Sequence, residues 1–123
     1  MSITITIQQL FNQGLLTHAG WATQIKEQQA LARLCRKPST YLNLYDQLFR
    51  QLSLLLLREG YNFSNYKPHQ ALKALCSLYL PQKVVEQLIA HRHALKYKQV
   101  AKEDEELKRQ LRELLRIVQC MGR

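Results

Sequence analysis

Arg92 stands seven residues after Val85 and four after Leu88, on the apolar stripe of a helix that also carries Ile89 and Leu95. A guanidinium on such a stripe is costly unless it is paired or faces a cleft. His91, His93, Lys96, Tyr97 and Lys98 crowd round it. Side chains of this kind suit an anionic partner, because arginine holds negative charge while histidine or tyrosine can exchange a proton. Asp46 and Arg50 lie at i,i+4 within an otherwise apolar helix. Either they form an intrahelical ion pair at its solvated edge, or Asp46 orients Arg92 across the protein while Arg50 lines the same groove. His69 follows Pro68 in a first helical turn, where unpaired backbone amides attract phosphate. The plainer reading is an exposed turn residue.

Other chemistries find no support. His18, His69, His91 and His93 form no His-x-x-x-His pair and have no carboxylate at ligand spacing, so no metal is expected. A phosphate loop, a dinucleotide glycine fingerprint and a serine elbow are all missing, and no cofactor is expected.

Charge points the same way as the Arg92 cluster. Eighteen Lys/Arg against nine Asp/Glu give a formal net charge of +9. Nine of the eighteen basic residues lie between Arg92 and Arg123, whereas the first thirty residues carry only Lys26 and Glu27. This balance favours RNA, a nucleotide or an acidic partner.

At 123 residues the chain is read as one domain, residues 1–123, large enough for a real core. Its start has neither a basic region nor a long apolar run, so no signal peptide is expected. The longest apolar run, Leu54 to Leu57, is far too short to span a membrane. Cys35, Cys76 and Cys120 are odd in number and widely spaced in helical, mostly apolar contexts. Reduced structural thiols and a cytoplasmic location follow as expectations. Asn62-Phe63-Ser64 is then a chance sequon.

Helical periodicity dominates the elements that would position these residues. Ser2 to Ile7 alternates like a strand but reads as a lead-in, with Thr6-Ile7-Gln8-Gln9 as a capping box and Gly14 ending a short helix. A second helix is predicted from about Gly20 to Cys35, with Trp21, Ile25, Ala32 and Cys35 on one side. The third, Tyr41 to Arg58, follows Pro38 and a cap at Ser39 or Thr40. It carries Leu42, Tyr45, Phe49, Leu52 and Leu56 on one face and Leu44, Leu48 and Leu55 beside it, as befits a central helix. Gly60 caps it, and Tyr61 to Lys67 reads as a polar, aromatic loop. Pro68 opens a fourth helix, and Pro81 separates that one from the Arg92 helix. Lys102 to Glu106 opens the last, with Leu107, Leu111, Leu114 and Val118 inside and Asp104–Lys108 and Glu105–Arg109 as surface pairs. The fold class is all-α: an antiparallel up-and-down bundle of about five to six helices.

With these residues in place, the chain resembles a HEPN domain, and in particular compact stand-alone bacterial members, over roughly Ile5 to Val118. The likeness rests on order and spacing together. Ile5-Thr6-Ile7-Gln8-Gln9-Leu10 before Gly14-Leu15-Leu16 is similar to the opening short helix. Tyr45-Asp46, Arg50 and Leu55-Leu56-Leu57-Arg58-Glu59-Gly60-Tyr61 are similar to the long central helix. Pro68-His69-Gln70-Ala71 is similar to the next helix start, and Arg92-His93 with Tyr97 to the Arg-Asn-x-x-x-Tyr form of the signature. The resemblance implies a helical domain that often forms a homodimer. Its members act as RNases in toxin-antitoxin or defence systems, or pair with a nucleotidyltransferase or antitoxin. The RNase signature places a histidine after the arginine, but Tyr97, Lys98 and Gln99 occupy the fifth to seventh places after Arg92.

Three readings follow. The leading one is a HEPN-like module that binds nucleotide, RNA or a nucleotidyltransferase-type partner without efficient catalysis, through Arg92, Tyr97, Arg50, His69 and Asp46. The second is a metal-independent RNase toxin with a variant site built from Arg92, His93 and Tyr97. The third is a plain helical interaction subunit. None places the chain at a membrane.

Overall fold

The helix from Tyr41 to Arg58 organises the molecule, and both of its ends are written locally. Thr40 is its N-cap, with a side-chain oxygen that accepts from the Asn43 amide at 3.2 Å. At the other end Gly60, with φ +87°, takes the left-handed conformation that turns the chain out of the helix. Between them Tyr41, Leu44, Tyr45, Leu48, Leu52, Leu55 and Leu56 are buried, too many for one stripe, so the helix is packed from several sides.

The computed structural model describes residues 3–98 and 102–121. Ser2 of the opening alternation, and Gln99 beyond Tyr97, lie outside the described residues. Six helices are described: α1 (Ile3–Asn12), α2 (Trp21–Cys35), α3 (Tyr41–Arg58), α4 (Pro68–Cys76), α5 (Gln82–Tyr97) and α6 (Glu105–Met121). They form a helical bundle around α3, with one small addition. Leu16–His18 (β1) pairs antiparallel with Tyr61–Phe63 (β2), in the register Leu16 to Phe63 and His18 to Tyr61. The segment after Gly60, expected as loop, is therefore partly strand. Three residues are too few to show alternation, and their partner lies more than forty residues away. Among the described residues no helix is long and apolar enough to cross a membrane.

Several local expectations are overturned by packing. The first helix is already under way at Ile3, so Thr6 is no cap but a buried residue within it. Ile3, Ile7 and Leu10 recur at i, i+4 and i+7 and pack on the core, which outweighs the low helix propensity of β-branched residues. On α2 the Trp21, Ile25, Ala32 and Cys35 side faces solvent; Trp21 is 73% and Ile25 42% exposed. Buried Glu27 marks the inner side instead, a residue type that periodicity scores as surface. Cys76 is buried, and burial pushes its thiol up to about 12, whereas Cys35 and Cys120 are exposed. On α6, Asp104 and Glu105 do not pair with Lys108 and Arg109. Lys108 reaches Glu103 at 2.8 Å, Arg109 reaches Glu106, and the Asp104 carboxylate accepts from the Leu107 amide.

Glu103 also ties the start of α6 to the start of α3. One carboxylate oxygen accepts from Lys108 and the other from the Tyr41 amide at 2.6 Å, at the positive end of α3. The Lys108 hydrogen bond, followed by the Tyr41 amide, holds the Glu103 carboxyl below its ordinary value of 4.5. A carboxylate with a lowered folded-state pKa stabilises the fold above its unfolded value, and that contribution disappears as pH falls through the folded value. Glu103→Gln is therefore expected to lose about 1 kcal/mol at neutral pH. Urea unfolding should show the gap to wild type closing in acid. A gap of the same size at pH 7 and at about pH 3 would refute the assignment.

Candidate functional site

α2, α3, α4 and α5 enclose a cleft of about 390 Å³. α3 contributes Tyr45, Asp46, Phe49 and Arg50, one turn apart and so on neighbouring faces. His69 enters from the first turn of α4 and Arg92 from α5, while Arg33 and Lys37 line the α2 side. The entry of His69 depends on an unusual residue: Lys67, just before Pro68, has φ +48°. A left-handed lysine costs about 1–2 kcal/mol. It turns the chain sharply so that α4 starts with His69 against α3.

Arg92, His69 and Tyr45 form a chain of contacts. Arg92 Nη1 lies 3.3 Å from His69 Nε2, and the Tyr45 hydroxyl lies 2.9 Å from His69 Nδ1. A guanidinium can only donate, so Nε2 is the acceptor and the ring proton sits on Nδ1, from which it is donated to the Tyr45 oxygen. Burial, and then the charges of Arg92 and Lys96, lower the His69 pKa, which favours this neutral ring. Burial likewise raises the Tyr45 hydroxyl far out of its ordinary range, so it stays protonated. The guanidinium carbon of Arg92 sits 5.2 Å from the centre of the Tyr45 ring, within cation–π range.

Charge in the cleft is poorly compensated. Arg92 is half-buried on the α5 seam, makes no ion pair among the described residues, and has a buried Nε with no hydrogen-bond partner. Arg33 and Lys37 are exposed and likewise make no ion pair among the described residues. Arg50 is the exception: its Nη1 lies 2.9 Å from both oxygens of Glu27, whose side chain is 11% exposed. The expected Asp46–Arg50 pair is not formed, because α2 supplies the buried Glu27 carboxylate in its place. Nor does Asp46 pair with Arg92, whose partner is the neutral His69. Asp46 is exposed and is the one carboxylate among the lining residues.

Four of the residues singled out from the sequence therefore meet in one cleft: Asp46, Arg50, His69 and Arg92. His93 and Tyr97 do not. Both are exposed on the last turns of α5, where their rings lie 4.9 Å apart and Lys96 approaches Tyr97. Consecutive helical positions point about 100° apart, so Arg92 and His93 cannot share a face. The sequence reading missed Tyr45, Arg33 and Lys37 as site residues. Tyr45 looks like a core aromatic, and it is one at 1% exposure, yet its hydroxyl meets His69 and its ring meets Arg92. Arg33 lies in the last turn of α2 and Lys37 two residues beyond its end, so the helical pattern offered no signal that joined them to the site. Among the described residues no group of His, Cys, Asp and Glu could hold a metal ion. No protein-family model, curated protein or solved structure matches the chain.

Proposed function

We propose that this is a HEPN-like helical module whose cleft binds the phosphate of a nucleotide or RNA strand, without efficient catalysis. The observation that carries the reading is Arg92: a half-buried guanidinium with no carboxylate partner among the described residues, held by a neutral histidine at the edge of a cleft with further cations. Leaving such a charge uncompensated costs stability, and a bound anion offsets the cost. Binding is favoured over cleavage because both ring nitrogens of His69 are engaged within the protein, so the ring is not free to take a proton from a ribose hydroxyl. His93 and Tyr97, the other candidates for that task, lie outside the cleft lining. A cytoplasmic setting, a homodimer, and a nucleotidyltransferase or antitoxin partner in a toxin-antitoxin or defence system belong to the same proposal.

The test is calorimetric titration of the full chain with adenosine 5′-monophosphate at low and moderate salt. Saturable binding that weakens as salt rises is expected, and adenosine without its phosphate should not bind. Equal binding of adenosine and its monophosphate, or no binding of either at millimolar concentration, would refute the reading.

One observation favours the plain interaction subunit as a second reading. Trp21, Ile25 and Ala32 share the outward side of α2 and are exposed, an apolar stripe of the kind that partner proteins cover.

A further inference from the structure

The cleft does not end at Arg33. A second hollow of about 470 Å³, lined by Thr23, Lys26, Glu27, Ala30, Arg33 and Arg50, shares Ala30, Arg33 and Arg50 with it. The two concavities thus form one groove along α2. Helical spacing explains most of its lining: Lys26, Ala30 and Arg33 recur at i, i+4 and i+7, one stripe of α2, and Lys37 follows just beyond the end of the helix. Lys26, Arg33 and Lys37 are all exposed, and none makes an ion pair among the described residues. The carboxylate in the second hollow, Glu27, spends both oxygens on Arg50. Ala30, Leu34 and Phe49 give the first hollow apolar surface beside its cations, and Ala30 extends it into the second.

We propose that this groove seats a single strand of phosphodiester-linked nucleotides along α2, with Lys26 and Arg33 binding phosphates beyond the one held at Arg92. The proposal rests on the reading of the Arg92 cleft as a phosphate site and extends it to a ligand of defined length. Lys26 and Arg33 are seven residues apart, about 10 Å along a helix, or about three phosphate steps at roughly 3.4 Å each in a stacked strand. A mononucleotide would leave Lys26 unused. Cations beside apolar surface match a ligand that carries both charged phosphates and bases. An acidic peptide brings the charge without the bases.

The experiment compares adenosine 5′-monophosphate with a fluorescently labelled single-stranded RNA octanucleotide, long enough to reach Arg92, Arg33 and Lys26 together, on the full chain, in wild type and Lys26→Glu. Lys26 is exposed and lies outside the lining of the Arg92 cleft, so helix content and melting should not change. The octanucleotide is expected to bind at least about ten-fold tighter than the monophosphate. Lys26→Glu should lower octanucleotide affinity about ten-fold and reduce its salt slope by roughly 0.7 per lost phosphate contact, while monophosphate affinity stays within about two-fold. Monophosphate binding with no gain in affinity for the octanucleotide overturns the groove and leaves the Arg92 site standing. So does an unchanged octanucleotide affinity in Lys26→Glu, or a short poly-glutamate that competes as well as unlabelled RNA. Failure of both ligands in wild type overturns the Arg92 reading, and the groove with it.

Discussion

Replacing Arg92 by alanine is expected to weaken phosphate-ligand binding about ten- to a hundred-fold while the helical fold persists. A charge-assisted hydrogen bond contributes about 1.5–3 kcal/mol, and each 1.4 kcal/mol is about ten-fold in affinity. The fold tolerates the change because Arg92 works against it in one respect: its Nε is buried with no partner, a cost that alanine removes. Against this stand the contacts with His69 and the Tyr45 ring, which alanine loses. These opposing effects are each about 1 kcal/mol and largely cancel. Arg92→Lys separates charge from shape. It keeps the positive charge but loses the planar fork that donates to His69 and to a phosphate together, so an intermediate affinity is expected. Titration with adenosine 5′-monophosphate, alongside thermal melts of each variant, reads both effects. Wild-type affinity in a folded Arg92→Ala protein would remove Arg92 from the site.

Leu114→Ala should cost far more stability, about 2–5 kcal/mol. α6 is strongly amphipathic: Leu111, Leu114 and Val118 are fully buried, whereas Arg112, Glu113 and Arg116 are exposed. That buried stripe packs on α3, the helix that carries Tyr45 and Arg50. Removing three carbon atoms at the centre of the contact leaves a cavity that the neighbouring leucines cannot close without moving both helices. A domain of this size has a total stability of about 5–15 kcal/mol, so the variant sits near the edge of folding. Ile25→Ala, on the exposed side of α2, serves as the contrast and should fall within about 0.5 kcal/mol of wild type. Urea unfolding at neutral pH compares them. A Leu114→Ala midpoint equal to that of Ile25→Ala would contradict this placement of α6.

Both expectations start from patterns visible in the chain, but to different depths. The inner stripe of α6 was legible because Leu107, Leu111, Leu114 and Val118 recur at i, i+4, i+7 and i+11 among charged residues, and a helix with that pattern has one way to face a core. α2 was not legible in the same way. Its apolar residues Trp21 and Ile25 face outward, and its inner side holds Glu27, a carboxylate that is tolerable there only because Arg50 meets it from α3. No periodicity within α2 encodes a partner twenty-three residues away. Arg92 shows both limits at once. Its place on an apolar seam marked it as a residue in need of a partner, yet that partner is not Asp46, one of the possibilities the sequence left open, but His69, brought in by the left-handed turn at Lys67.

The sequence by itself determined the helical class, the ends of α3 and the start of α4, because Thr40, Gly60 and Pro68 act on the backbone within a few residues of themselves. Tertiary structure alone decided the rest: the pairing of Leu16–His18 with Tyr61–Phe63, the Glu27–Arg50 bridge, and the chain from Arg92 through His69 to Tyr45. Each joins residues far apart in the chain. Such contacts form only where several helices pack together, since closing the intervening loop costs entropy that no single local motif can offset.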